Sequence, residues 1–165
     1  MDPATTTVRN ALSGIGAMTF DHPQLFLDGA TDVVIRRRFS HPPAKVWRAL
    51  TEPALIRLWL SPDLTDCQMD PRPGGSFRYV WPEFFFSGPV LEADPPHNML
   101  HVEHFNGDTS QGPTVRTTLT HDGSGTRLTV VMRYRDAEAR ANAIQQGFTD
   151  GIDAVYGRIE DLTFA

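Results

Sequence analysis

The longest regular pattern of apolar positions lies at the C-terminal end of the chain. Ile144, Phe148, Ile152, Val155, Ile159 and Leu162 recur at alternating steps of four and three, which is the spacing of one face of an α-helix. Asp136 suits an N-cap, and Glu138, Ala139, Arg140, Ala141 and Ala143 are good helix formers, so the pattern predicts one long helix from Asp136 to Ala165. Gly147, Gly151 and Gly157 lie inside it, each costing about 1 kcal/mol relative to alanine. On a helical wheel the six apolar residues cover about 80°, with Gly147 and Gly151 bordering that stripe. Such a helix is expected to lie closely against a packed core or a ligand.

Upstream the period changes. Val33, Val34, Ile35 and Phe39 read as a first strand, closed by His41-Pro42-Pro43. Two short helices follow, over 44–50 and 54–60, with Pro43 and Pro53 in first-turn positions. Their expected inward residues are Val46, Trp47 and Leu50, then Leu55, Leu58 and Trp59. Strands are predicted over 64–70, 77–81, 84–93 and 99–105, punctuated by Pro71-Arg72-Pro73-Gly74-Gly75, Pro82-Glu83 and Asp94-Pro95-Pro96. A hairpin is predicted from 114–121 and 126–135 around Asp122-Gly123-Ser124-Gly125. Val115, Thr117 and Leu119 share one of its faces with Leu128, Val130, Met132 and Tyr134, while arginines and threonines take the other. That alternation means an antiparallel sheet with one dry face, which only the C-terminal helix is long enough to cover.

Residues 1–30 are less regular. Val8, Leu12 and Ile15 keep helical spacing, and Phe20, Leu25, Phe26 and Leu27 are too apolar for a free tail. This extension is expected to dock on the domain or to pair two copies as a homodimer. The remaining residues, 31–165, read as one domain.

Composition narrows the function classes. A chain of 165 residues with 40% hydrophobic and 21% charged residues is an ordinary globular domain. A net charge of −5, with no basic run longer than Arg36-Arg37-Arg38, speaks against nucleic acid. One cysteine, Cys67, excludes an internal disulfide framework and fits a reducing compartment. The start of the chain does not read as a secretory signal and no apolar run reaches ~18 residues, so a cytoplasmic protein that does not span a membrane is expected.

An ordered set of short motifs then carries a resemblance. Pro43-x-x-Val46-Trp47-x-x-Leu50-Thr51-x-Pro53, Trp59, Met69-Asp70-x-Arg72-Pro73-Gly74-Gly75-x-Phe77, Gly88-x-Val90-Leu91-Glu92-x-Asp94-Pro95-Pro96, Gly125-Thr126-x-Leu128-Thr129 and Gly147-x-x-x-Gly151 follow one another. The chain resembles bacterial proteins related to the activator of the heat-shock-protein-90 ATPase, a branch of the START-like (SRPBCC, Bet v 1-like) superfamily, over residues 32–163. The resemblance implies an α+β helix-grip fold: a curved antiparallel sheet of about six to seven strands around the long C-terminal helix, with two short helices after the first strand and a hydrophobic cavity between sheet and helix. Two positions depart from the family pattern. Leu60 and Ile152 stand where the family usually has tryptophan, so a cavity they faced would be roomier than usual.

The candidate chemistry is sparse. His101 and His104 point to opposite faces of a strand and cannot chelate one ion. His101 and Glu103 share a face but are too few to hold a metal. Cys67 lacks the context of a nucleophile, and Pro73-Gly74-Gly75 lacks the lysine of a phosphate loop. No cofactor or metal is expected. Glu103, His101, His104, Tyr79, Tyr134 and Asp150 are the groups available for acid–base work. The aromatic cluster Tyr79, Trp81, Phe84, Phe85 and Phe86 reads either as core or as the wall of a pocket for a flat ligand. The cavity candidates are Trp47, Trp59 and Leu60 from the helical pair, Tyr79, Trp81, Phe84, Phe86, Met132 and Tyr134 from the sheet, and Phe148, Gly151 and Ile152 from the C-terminal helix. The leading expectation is a non-enzymatic or weakly catalytic binder of a hydrophobic, aromatic or polyketide-like molecule, for instance in self-resistance, since the superfamily includes proteins that sequester toxic natural products such as enediynes. A polyketide cyclase or aromatase and a chaperone-associated protein-binding module are the alternatives.

Overall fold

The structure, a computed structural model, describes residues 24–164. Nine strands form one antiparallel sheet: β1 (Leu25–Asp28), β2 (Asp32–Phe39), β3 (Asp66–Met69), β4 (Ser76–Val80), β5 (Phe85–Asp94), β6 (Asn98–Val102), β7 (His104–Phe105), β8 (Thr114–Asp122) and β9 (Gly125–Arg133). The spatial order is β1-β2-β9-β8-β6-β5-β4-β3, and β7 pairs with β5 beyond the end of β6. Helices α1 (Pro43–Thr51) and α2 (Pro53–Trp59) follow β2, each with proline in its first turn. After β9 come α3 (Ala137–Gln146), α4 (Ile152–Gly157) and a 3₁₀ turn over Arg158–Asp161. The architecture is α+β and consistent with a sheet gripping C-terminal helices.

The hairpin of β8 and β9 follows its alternation. Val115 pairs with Met132, Thr117 with Val130 and Leu119 with Leu128, and all six side chains are buried on one face. β2 extends that face by setting Val33 beside Met132 and Ile35 beside Val130. Two strands beyond the expected six to seven have local causes. Leu25–Leu27 do not float but form β1 on the edge of β2, a strand too short for alternation to reveal. The expected strand over 99–105 is broken at Glu103, whose N–H is taken by Pro113 O at 3.0 Å. The helix expected around Val8, Leu12 and Ile15, and the docking of Phe20, lie outside the described residues.

The C-terminal helix is corrected most. It is two helices, not one. Asp136 caps α3 as expected, accepting from Ala139 N at 2.8 Å, but α3 ends at Gly147 (φ 87°). Gly147 N–H bonds Ile144 O and Phe148 N–H bonds Ala143 O, each at 3.0 Å, the paired bonds of a Schellman turn. Gly151 (φ 69°) then restarts the chain as α4. Both glycines hold a left-handed backbone that L side chains avoid. The apparent stripe is therefore divided: α3 buries Ala139 and Ala143, while Val155 and Ile159 are buried beyond the break. In α2 the inward face is Ile56 and Trp59, and Leu58 is 68% exposed. Leu58 stands one step of about 100° from Trp59 on the helix and falls outside the buried face.

The core consists of two apolar clusters. The larger joins α1, β2, β8, β9 and α4, and the smaller holds Ile56, Leu64, Cys67, Trp81 and Phe84. Leu60, Met69 and Phe148 pack partly against both. The clusters do not merge, and the space between them is the cavity described next.

Candidate ligand cavity

Each wall of the cavity is set by local chemistry. Trp59 is fixed by its indole N–H, which donates to Ala49 O at 2.7 Å, so its ring cannot turn outward; it lies 5.4 Å from the ring of Tyr156. Antiparallel register puts Tyr79 opposite Phe86 and both on the inner face. The Schellman turn throws Phe148 inward, where its ring lies 4.8 Å from Phe105 and 5.9 Å from Phe86. Leu60 and Ile152, the two positions where tryptophan was expected from the family pattern, both line the space.

The cavity measures about 120 Å³, and eight of its lining side chains are aromatic. It adjoins a more polar recess of about 340 Å³ that shares Phe105, Gln111, Gly112, Tyr134 and Phe148 with it and adds Asn106, Asp108, Asn142 and Gln146. Gly112 lets this rim form: a Cβ there would lie 2.1 Å from Glu103 O, so only glycine allows the 106–113 loop to press against the backbone of Glu103.

Of the residues expected at the cavity, Trp59, Leu60, Tyr79, Trp81, Phe86, Met132, Tyr134, Phe148 and Ile152 are brought together there. Three are not. Trp47 packs in the larger core cluster. Phe84 stacks behind Trp81 at 4.8 Å and 15°, which puts one ring between it and the space. Gly151 is exposed at the turn into α4. Phe85 points to the opposite face, under the guanidinium of Arg78 at 4.6 Å. Sequence reasoning did not place Met69, Met99, Phe105, Val155 or Tyr156 in the wall. The stripe that contains Val155 was the available signal for one of these; Tyr156 lies outside it.

The polar groups of the wall are few. His101 is buried and its Nε2 meets Glu103 Oε1 at 3.1 Å, as two residues sharing a strand face can. His101 Nδ1 and Trp81 Nε1 are buried without a hydrogen-bond partner. Burial drives the phenols of Tyr79, Tyr134 and Tyr156 well above the ordinary tyrosine range, and the charge of Glu103 adds to the rise in each; no hydrogen bond contributes. The three hydroxyls therefore stay protonated donors. Cys67 pairs with Tyr79 across adjacent strands, its thiol pushed up to about 11 chiefly by burial, so it is not an activated nucleophile. His104 and Asp150, also considered for acid–base work, are not in the wall. Among the described residues no three His, Cys, Asp or Glu side chains cluster as metal ligands, and no helix is long and apolar enough to cross a membrane.

The fold and this wall define a START-like α+β protein with an aromatic-lined internal space. Residues 40–163 match the family described as Activator of Hsp90 ATPase homolog 1-like protein, and the chain belongs to that family, within the SRPBCC superfamily. A crystal structure from Rhodobacter sphaeroides is 32% identical with a TM-score of 0.75, covering 84% of this chain and 95% of that one. One from Nitrosomonas europaea is 27% identical with a TM-score of 0.71, covering 82% and 95%. The Mycobacterium smegmatis protein Ms6760 is 23% identical with a TM-score of 0.69, covering 82% and 92%, and shares the fold. No curated protein matches the chain.

Proposed function

We propose that this protein binds an aromatic, polyketide-like small molecule in the cavity and sequesters it, as a self-resistance protein would. The observation that carries the reading is an apolar space walled by eight aromatic side chains, three of them tyrosines whose burial keeps the phenols protonated. Apolar cavities of ~150 Å³ take up benzene, so 120 Å³ accommodates one ring of a guest. A larger molecule would extend through the shared rim into the polar recess, keeping its substituents near Asn106, Asn142 and Gln146. Ligand sites of this kind combine an apolar lining with a few placed polar groups. Among the described residues the large apolar side chains left exposed, Leu27, Leu58 and Leu91, sit on three different elements, which favours an internal ligand over a protein-docking face. Native mass spectrometry after incubation with a flat polyketide such as a hydroxyanthraquinone should give a one-to-one adduct. Its absence at concentrations well above micromolar would remove the reading.

A second reading rests on the contact between His101 and Glu103 in the wall. A carboxylate held by an imidazole beside a bound polyketide could abstract a proton, as a cyclase or aromatase requires. In that case Glu103→Gln would stop cyclisation of a bound poly-β-ketone analogue, and an unchanged rate would exclude the cyclase.

A further inference from the structure

The charges around the cavity are one-sided. Among the described residues, Glu103 and Asp108 are the carboxylates in the walls of the cavity and its recess, and neither wall contains a lysine or arginine. Glu103 is the deeper of the two, with its side chain 23% exposed. Its Oε1 is met by His101 Nε2 at 3.1 Å, and an ionised carboxylate offers about four acceptor sites. Asp108, at the outer rim, is already held by Ser110 through bonds from N at 2.9 Å and from Oγ at 2.6 Å. Tyr79, Tyr134 and Tyr156 line the same cavity as Glu103, and its charge adds to the rise of their phenols. Aromatic faces carry the negative side of the ring quadrupole and attract cations, most strongly where water is excluded. Among the described residues a ligand anion would meet these groups with no lysine or arginine to offset the loss of its hydration.

We propose that the natural ligand carries a protonated amine, seated against Glu103 among the aromatic walls. Its class is thus an amino-substituted aromatic molecule, not a carboxylic acid or a phosphate ester. The proposal rests on the reading of the cavity as a ligand site and adds the charge of the ligand to it. Glu103 is then a specificity-determining residue: its carboxylate accepts from the ammonium on one side while His101 Nε2–H holds it from the other.

The test is a matched series of probes measured by calorimetry at neutral pH: 2-naphthylmethylammonium, 2-naphthalenemethanol and 2-naphthoate. One carboxylate contact with cation–π support predicts that the ammonium binds about tenfold or more tightly than the alcohol, and that the naphthoate binds more weakly than either. In Glu103→Gln, an isosteric change, the ammonium should fall to the affinity of the alcohol. If ammonium and alcohol bind equally, or the naphthoate binds best, the cavity reading stands and the charge assignment fails. An ammonium preference that survives Glu103→Gln also overturns it. If none of the three probes binds, the cavity reading fails and this proposal fails with it. The series in the unmutated protein decides the matter even if the variant does not fold.

Discussion

Phenol and thiol groups give the interior its most readable residue-scale signature. Tyr79, Tyr134 and Tyr156 are shifted upward mainly because burial penalises the phenolate, and Cys67 rises from 9.0 to about 11 for the same reason. The unfolded chain would ionise these groups from about pH 9 to 10, so above that range it binds fewer protons than the folded chain. Their contribution is fully present below about pH 9 and is lost as pH rises toward and through the folded values. Urea midpoints should therefore hold from pH 7 to 8.5 and fall steadily by pH 10.5; a flat profile would contradict the burial of these groups. The same hydroxyls make a second prediction. Burial rather than hydrogen bonding raises these phenols, so the melting temperature should hardly move in Tyr134→Phe or Tyr156→Phe. Affinity for a hydroxylated aromatic should drop by about 1 kcal/mol per deleted hydroxyl, roughly fivefold, in a fluorescence titration.

Between Gln146 and Ile152 an element boundary does the positioning. A continuous helix would present Phe148 along the same stripe as Ile144; the left-handed turn at Gly147 instead aims it at Phe105 and Phe86. Gly147→Ala and Gly151→Ala should each destabilise by roughly 1–2 kcal/mol, the cost of a left-handed L-residue. Gly147→Ala should also weaken ligand binding, because Phe148 moves with the turn. Thermal denaturation and a binding titration on the same samples check both. Sequence periodicity could not reveal this break, because six apolar residues keep helical spacing straight through both glycines. It did reveal the hairpin of β8 and β9, where one face is dry and the other wet, and the starts of α1 and α2, where proline fits the first turn. β1 has only four residues and β7 two, so neither could show a period. At the cavity, the aromatic residues stood out by type. Met69, Met99 and Phe105 did not, because their inward direction depends on register and on the interruption at Glu103.

At the scale of the molecule, the cavity exists because two apolar clusters are bridged by Leu60, Met69 and Phe148 without closing on each other. Leu60 and Ile152 are the smaller residues where the family pattern places tryptophan, and both face the gap. Restoring the larger side chains in Leu60→Trp/Ile152→Trp should leave a folded protein by circular dichroism and weaken binding of any aromatic guest about tenfold or more, since the space of 120 Å³ would be taken by indole rings. Unchanged affinity in a folded variant would put the ligand elsewhere.

The central claim is that a flat aromatic molecule enters the space between the clusters. A nitrogen-15 NMR titration with 2-naphthalenemethanol tests it most directly, because the three indole N–H signals report on different places. Trp59 and Trp81 line the cavity and Trp47 does not, and Trp81 Nε1 has no partner to lose. The account predicts saturable shifts of the Trp59 and Trp81 indole signals with the Trp47 signal nearly still. Shifts confined to the surface around Leu27, Leu58 or Leu91, or no saturable shift at all, would contradict it.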